Sequence, residues 1–335
     1  MKLKTTLAAA ALLSTLALSA CSGAGADDAD QLSLVGFAAP KAGNDAAQAL
    51  FAETPEGEGV SWKTSYGPSG DQSRAIVAGL DADYVHFSLE GDVTRLVDEG
   101  LVADTWDDGP NKGIVSESTV VLVVREGNPK NIDSWDDLVK DGVGIVTPNP
   151  GSSGSARWNI LAAWGSVIEN GGTEADAEAY LKKFFANVEA LPGGARDATT
   201  AFAGGTGDVL LSYEHEAILA RQNGEAFDYV VPETTLLIQN PAAVTEDASP
   251  KAQAYLDFVL SRAGQEAFAS VGFRPLVDGI DIEVEGANDP SDPFPPVANL
   301  QTIADDFGGW EAASAKFFDS ENGIVTRIQA ESGKS

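Results

Sequence analysis

The chain has 335 residues, and its 51 Asp and Glu against 21 Lys and Arg give a formal net charge of −30 at pH 7. A surface of that sign repels nucleic acid and anionic lipid headgroups, so neither is an expected partner. The length is sufficient for two domains with separate cores. A single Cys in the whole sequence excludes a disulfide within the chain.

The first segment has the pattern of a secretory signal. Two lysines precede an uncharged, Ala- and Leu-rich run over 5–20, which is shorter than the roughly 20 apolar residues that a membrane-spanning helix needs. We predict that residues 1–20 are a signal peptide and that Cys21, in a sequence that resembles a bacterial lipobox, receives a lipid. The alternative for Cys21 is a stray unpaired Cys. Residues 21–31 are small and acidic, which is typical of a flexible tether.

These features predict a protein secreted across the cytoplasmic membrane and anchored at its outer face, in the periplasm or at the cell surface. The lipid would be its only contact with the membrane. We expect the mature protein to be a monomer.

Strand-like and helix-like segments alternate along the first part of the mature chain. Apolar runs at 32–37, 60–65 and 84–88 are separated by helical patterns over 44–53 and 71–80. This alternation is typical of a parallel α/β sheet with helices on its faces.

A second series of the same kind follows. It contains the apolar runs 120–124, 144–146, 208–211 and 227–231 and a helical pattern over 155–168. We therefore predict an α/β protein with two lobes, each built on a parallel sheet.

The order of the segments sets the lobe boundaries. Residues 32–118 plus 241–330 are predicted to form lobe I, and residues 119–240 to form lobe II. The chain would cross between them at 118–125 and at 235–242, and these crossings would act as two hinge strands. Small ligands bind in clefts between lobes that close on hinges, so the cleft is the expected site.

Three segments share a design in which a strand end is followed by small residues and then by a helix start. They are 66–74, 148–158 and 191–200. The start of a helix exposes free backbone NH groups and a partial positive charge, which suits an anion. The alternative for each segment is an ordinary Ser N-cap with a turn glycine. An anion on so acidic a chain needs a buried site governed by local dipoles, because the Debye length is only about 8 Å at physiological salt.

Longer segments carry a family resemblance. The runs SYGPSGDQ at 65–72, TPNPGSSGSARWN at 147–159, GARDAT at 194–199 and GDVLLSYEHE at 207–216 are similar to the sulfate/thiosulfate-binding proteins of ABC importers. The similarity continues in order from about residue 32 to Trp310. It implies the two-lobed periplasmic-binding-protein fold of type II.

The resemblance also implies a sulfate dianion in the cleft, held by uncharged donors without a Lys or Arg counter-ion. Carried over by position, the ligand-binding residues are Ala38, Ser69, Ser153, Gly154, Ser155, Ala195 and Tyr213. Ser69 is expected to donate through both its NH and its hydroxyl. Supporting roles are expected for Gly70, Arg157 and Arg196, and the two arginines are expected to pair with acidic side chains and brace the loops.

The chain departs from the family pattern at two of these positions. Ser155 stands where many members have Gly, so its side chain must be accommodated. Tyr213 stands where better-known members have an indole donor, and its phenol can also donate.

The choice between sulfate and phosphate depends on a proton. Phosphate keeps a proton near neutral pH and needs an acceptor, whereas sulfate has none to donate and would be repelled by a carboxylate. Asp71 and Asp197 directly follow candidate donor loops, and we expect them to stabilise helix starts rather than to contact the ligand. Thiosulfate, phosphate and molybdate remain open as alternative ligands.

Catalytic patterns are incomplete. His86 and His215 are the only two histidines, and neither belongs to a zinc-protease motif. We expect His86 in a strand and His215 on a helix surface. Ser69 and Ser153 could serve a secreted hydrolase, but neither lies in a complete nucleophile elbow. We therefore predict a binding protein that is not an enzyme, uses no cofactor or metal, and delivers its ligand to an ABC permease. A surface adhesion or sensor module is a further alternative.

Overall fold

The computed structural model describes residues 31–334, so the predicted signal peptide and the lipid anchor at Cys21 lie outside the described residues. The described strands are β1 (Gln31–Phe37), β2 (Ser61–Gly67), β3 (Tyr84–His86), β4 (Ile114–Arg125), β5 (Ile145–Val146), β6 (Val188–Ala190), β7 (Val209–Tyr213), β8 (Phe227–Val230), β9 (Thr234–Val244) and β10 (Asn299–Gln301). None of the helices between residues 31 and 334 is long and apolar enough to cross a membrane.

The helices surround these strands. The described α-helices are α1 (Lys41–Phe51), α2 (Ser69–Val77), α3 (Glu90–Asp98), α4 (Gly154–Glu169), α5 (Glu174–Asn187), α6 (Ala195–Ala203), α7 (Glu214–Gln222), α8 (Pro250–Leu260), α9 (Arg262–Ala269), α10 (Ile303–Phe307), α11 (Trp310–Phe318) and α12 (Ile324–Ser332). A short 3₁₀ helix covers Trp135–Val139.

The strands form two groups joined by two long strands. β1 pairs in parallel with β2 and β3, and β5 pairs in parallel with β6 and β7. Between the groups, β9 pairs antiparallel with β3 and with β4, and β4 pairs antiparallel with β7. The predicted α/β architecture with two lobes is confirmed. Each lobe is nevertheless mixed rather than purely parallel, because the strand that enters from the other lobe runs antiparallel to its neighbours.

β4 and β9 connect the two groups because each takes part in both. The first half of β4 pairs with β9, and its second half, Val120–Val124, pairs with β7. The far end of β9 pairs with β3. The predicted crossing at 118–125 lies within β4, and the predicted crossing at 235–242 lies within β9. Seven of the ten residues from Val115 to Val124 are apolar or threonine, and all ten but one are buried, as expected for a strand covered on both faces.

The C-terminal helices pack on the second group of strands. Trp310 of α11 meets Trp158 of α4 edge to face at 4.6 Å, and Phe317 meets Trp164 at 4.9 Å. α12 contacts α5. The division expected from the sequence placed these helices in lobe I. We propose instead that residues from Ile303 onward belong with lobe II, since their apolar side chains join the core around β4 and β7.

A buried ion pair joins the end of β7 to the segment that follows α9. Arg274 donates from Nε to Glu214 Oε2 at 2.7 Å and from Nη2 to Oε1 at 3.1 Å. The Arg274 backbone NH also donates to the carbonyl oxygen of Glu117 in β4. Glu214 is 1% exposed, so its charge has no access to water if the arginine is removed.

We predict that Arg274→Gln lowers the free energy of unfolding by about 3 to 5 kcal/mol, because it leaves a buried carboxylate without its partner. Urea denaturation followed by circular dichroism measures the loss. The Arg274→Gln/Glu214→Gln double variant should recover a large part of it. As a control, Arg262→Gln breaks an exposed pair with Glu266 and should change stability by less than about 1 kcal/mol. An equal effect of the two single variants would contradict the prediction.

Candidate functional site

A cavity of about 350 Å³ lies between the two groups of strands. Small residues and backbone make up most of its wall. The lining residues are Phe37, Ala38, Ala39, Tyr66, Gly67, Pro68, Ser69, Ser88, Ser153, Gly154, Ser155, Gly194, Ala195, Arg196 and Asp197. Six of the seven residues predicted to bind the ligand are among them, and the seventh, Tyr213, is not.

Three helices begin at this cavity. α2 starts at Ser69, α4 at Gly154 and α6 at Ala195. None of the three has a hydrogen bond from a capping side chain. The first NH groups of a helix have no partner within it, so these NH groups remain available to a ligand.

Ser153 occupies the N-cap position of α4 but does not act as a cap. Its side chain makes no capping hydrogen bond, although Ser is among the residues favoured at that position. The residue is 4% exposed and lines the cavity. The ordinary N-cap alternative therefore does not describe Ser153, whose hydroxyl is left to face the cavity.

The hydroxyl of Ser69, which was expected to donate to the ligand, is engaged within the protein. It donates to Asp92 Oδ2 at 2.6 Å and accepts from the NH of Ser88 at 3.0 Å. The hydroxyl proton is therefore used inside the protein. Of the two donors predicted at this residue, the backbone NH at the start of α2 is the one left for the cavity.

Ser88 is a central residue of the site that the sequence analysis missed. Its carbonyl oxygen accepts from Trp158 Nε1 at 3.0 Å and from Asn240 Nδ2 at 3.2 Å. Its hydroxyl lies 2.9 Å from the Tyr213 hydroxyl, and either oxygen can be the donor. Ser88 follows strand β3 and precedes helix α3, so a small polar residue at a strand end was the available signal.

Tyr213 lies behind the cavity wall. The side chain is fully buried, and burial raises the pKa of its phenol, against the opposing effect of hydrogen bonds with Ser155 and Ser88. The phenol therefore keeps its proton. Since Ser155 and Ser88 both line the cavity, Tyr213 reaches it through them rather than directly.

Gly154 is required by close packing across the cleft. A Cβ atom at this position would lie 2.5 Å from Ser88 Oγ and 2.6 Å from Ser88 Cβ. Only glycine lets the start of α4 approach the end of β3 so closely. Ser155, the departure from the family pattern, is 3% exposed, and its side chain is accommodated next to Tyr213.

The predicted supporting residues have separate roles. Arg196 lines the cavity and donates to Glu216 Oε1 at 3.0 Å. Arg157 donates from Nε to the carbonyl oxygen of Pro150 at 3.2 Å, so it braces the loop before α4 without a hydrogen bond to a carboxylate. Gly70 lies at a neighbouring cavity, as does Arg157.

The two acidic residues singled out earlier differ in position. Asp71 is ion-paired with Arg74 and does not line the cavity. Asp197, in the first turn of α6, does line it, but the residue is exposed and stands at the rim.

Neither histidine contacts Ser69 or Ser153. His86 lies in β3 and is hydrogen-bonded with Asn44 Oδ1 at 3.2 Å and Ser116 Oγ at 3.1 Å. His215 is fully buried and stacked on Phe273 at 3.7 Å, so the expected position on a helix surface is wrong. Burial lowers the pKa of both rings, that of His86 to about 3.

Glu216 gives the site a pH-dependent neighbour. Burial raises its pKa to about 7, although the positive charge of Arg196 opposes that shift. Because the folded-state pKa lies above the ordinary value of 4.5, protonated Glu216 stabilises the fold. This contribution is fully present below the ordinary value and is lost as the pH rises through about 7.

We predict that the wild type loses roughly 2 kcal/mol relative to Glu216→Gln when the pH is raised from 5 to 8, since one pKa unit corresponds to about 1.4 kcal/mol. Paired urea denaturations at both pH values measure this difference. Glu225→Gln, at an exposed position just after the end of α7, is the matched control and should follow the wild type. A constant difference between wild type and Glu216→Gln would contradict the assignment.

Comparisons with known proteins agree with this geometry. The family described as bacterial extracellular solute-binding protein matches residues 33–274. The sulfate-binding protein of Synechococcus elongatus is 39% identical, over 96% of this chain and 95% of that protein. The thiosulfate-binding protein of Pseudomonas aeruginosa is 35% identical, over 82% of this chain and 83% of that protein.

A solved structure of a sulfate-binding protein also resembles this chain. The sulfate-binding protein SubI from Mycobacterium tuberculosis has a TM-score of 0.80 and 40% sequence identity, with 86% of this chain and 99% of that chain covered. Its fold is that of the type II periplasmic binding proteins, as predicted. The chain therefore belongs to the bacterial extracellular solute-binding proteins, within the sulfate- and thiosulfate-binding family, whose members are transport proteins and not enzymes.

Proposed function

We propose that this protein captures sulfate outside the cytoplasmic membrane and delivers it to an ABC permease. The observation that carries the proposal is the convergence of three uncapped helix starts on one cavity between the lobes. Four backbone donors there belong to Ser69, Gly154, Ser155 and Ala195, and Ser153 adds a hydroxyl. The names of the relatives support the choice of sulfate.

Neutral donors are sufficient for such a ligand. A hydrogen bond to a charged group contributes about 1.5 to 3 kcal/mol. Five to seven of them, together with the helix dipoles, can offset the desolvation of a dianion and leave the roughly −8 kcal/mol of micromolar binding. Arg196 is not needed as a counter-ion, because above a pH of about 7, where Glu216 is ionised, its guanidinium is paired with that carboxylate.

We propose that Tyr213 contributes through Ser88. When the phenol donates to Ser88 Oγ, the Ser88 hydroxyl proton is free to point into the cavity, where Ser88 lines the wall. The phenol thus fixes the direction of a donor instead of touching the anion. Its raised pKa keeps the required proton in place.

Contacts between the lobes support a closing motion. The Trp158 indole of α4 donates to the Ser88 carbonyl oxygen, and the start of α4 packs against the Ser88 side chain. A ligand between these walls would hold them together on the β4 and β9 hinges, and closure over a ligand is a recurrent motion of such folds. We propose that the closed form is the one presented to the permease, and that a lipid on Cys21 keeps the monomer near it.

Selectivity follows from a wall of donors in which the one lining carboxylate, Asp197, is exposed at the rim. At pH 8, sulfate and hydrogen phosphate carry similar charge, but phosphate retains a proton that needs an acceptor. Both Asp92 oxygens are already bonded, to Ser69 at 2.6 Å and to Arg95 at 2.9 Å. Asp92 also does not line this cavity, so it is not placed to accept a proton from the ligand.

We predict that sulfate binds at least about 10-fold more tightly than phosphate at pH 8, because an unsatisfied buried polar group costs about 1 to 3 kcal/mol. Isothermal titration calorimetry with sulfate, thiosulfate, phosphate and molybdate measures the order. Phosphate binding equal to or tighter than sulfate would contradict a donor-only site and would point to Asp197 as an acceptor. Heat from turnover of an added sulfate ester would instead favour the hydrolase alternative.

The contribution of a single donor, the backbone NH of Ala195, can be tested by substitution. Ala195 is the first residue of α6, where proline is tolerated, and Gly194 before it has the extended conformation that a following proline requires. Ala195→Pro deletes one NH and should weaken sulfate binding by about 10-fold or more. Calorimetry measures the affinity, and circular dichroism checks the fold.

The matched control is Glu174→Pro at the first position of α5, where the preceding Thr173 is also extended. This helix start lies outside the cavity. The control should bind sulfate as the wild type does. Unchanged affinity in Ala195→Pro would remove α6 from the site.

A further inference from the structure

A second cavity of about 260 Å³ lies next to the proposed sulfate site. Its wall includes residues of α2 and α3 on one side and of α4 and α11 on the other. Ser153 and Gly154 line both cavities, so the start of α4 separates them. The second cavity is lined by more charged side chains than the first, whose charged lining residues are Arg196 and Asp197.

Three arginines and one carboxylate face this space. Arg74, Arg95 and Arg157 line the cavity together with Asp92. The excess of cations contrasts with a chain in which 51 acidic residues outnumber 21 Lys and Arg. Arg95 is paired with Asp92 and Arg74 with Asp71, whereas the hydrogen bond of Arg157 goes to a carbonyl oxygen, so the wall keeps one excess positive charge.

The arginines are held close to one another. Arg157 is fixed by its Nε bond to Pro150 and by the Phe318 ring, 4.9 Å from its guanidinium carbon. Burial lowers the pKa of Arg157, and the charges of Arg95 and Arg74 lower it further against the effect of Asp92. Like charges gathered beside a cavity are stabilised when an anion lies between them.

We propose that this cavity is a second oxyanion site, which binds a small dianion such as sulfate or hydrogen phosphate through guanidinium groups. Arginine presents paired N–H donors that match the oxygens of such an anion. A cationic wall recognises charge and oxygen geometry, so the site should accept phosphate as well as sulfate. Its walls come from helices on both sides of the cleft, so an anion there would also link the two sides. The inference does not require that the first cavity bind sulfate.

Inorganic phosphate is the probe, because the donor-only cavity is proposed to disfavour it. Calorimetric titration of the purified protein with phosphate, at ionic strength held constant with sodium chloride, should show one weak phase. Arg74→Gln removes one guanidinium group from the cavity wall, and Ser314→Glu places a carboxylate there. Each should weaken the phosphate phase by about 10-fold or more, since a charge-assisted bond is lost or opposed.

Matched controls exclude a general charge effect. Arg262→Gln also removes an exposed arginine paired within its helix, and Ser320→Glu adds the same charge at an exposed position outside the cavity. Both should bind phosphate as the wild type does. Sulfate should show a tight phase that survives in Arg74→Gln and Ser314→Glu and a weak phase that does not.

Two results would overturn the second site. One is the absence of phosphate binding through the millimolar range. The other is a phosphate phase that is unchanged in Arg74→Gln and Ser314→Glu but lost in Ala195→Pro, which would place phosphate in the first cavity. Loss of the tight sulfate phase alone, with a weak phase that depends on Arg74, would contradict the proposed function and leave the second site standing.

Discussion

The structure is organised around the ends of helices that lack caps. α2, α4 and α6 all begin at one cavity, and no side chain satisfies their first NH groups. Buried NH groups without partners are unfavourable, so such a site is stable only when water or a ligand accepts their hydrogen bonds. This constraint explains why Ser, Gly and Ala make up most of the cavity wall. Larger side chains would cover the very groups that the ligand needs.

The rest of the fold brings these ends together. β4 and β9 run through both groups of strands, and their antiparallel pairing sets the distance between the lobes. Ser88 then joins the lobes at the cavity, since its NH, carbonyl oxygen and hydroxyl bond to residues on different elements. The glycine at position 154 allows this approach because a side chain there would collide with Ser88. The β4 and β9 strands, the contacts of Ser88 and the NH donors of the helix starts therefore form one connected unit.

Several charged side chains near the neutral donors are paired with side chains of opposite charge. Arg196 is paired with Glu216, Arg274 with Glu214, and Arg95 with Asp92. Of these residues only Arg196 lines the first cavity, and its pairing with Glu216 limits the charge that it supplies there. A lone Lys or Arg would attract any anion, whereas oriented neutral dipoles can reject one that carries an extra proton. The cluster around Arg74 and Arg157 is different, because its cations face a cavity of their own.

The sequence by itself determined the α/β class, the two lobes, the crossing strands and the three helix starts, because these depend on local periodicity and on turn residues. The family resemblance added the positions of six cavity residues. Only the tertiary structure decided the remaining features, which arise from contacts between segments far apart in the chain. The Ser69 hydroxyl is engaged by Asp92, and Tyr213 acts behind Ser88. His215 is buried against Phe273, and the C-terminal helices pack on α4. No local pattern encodes which distant side chain a hydroxyl or a ring will meet.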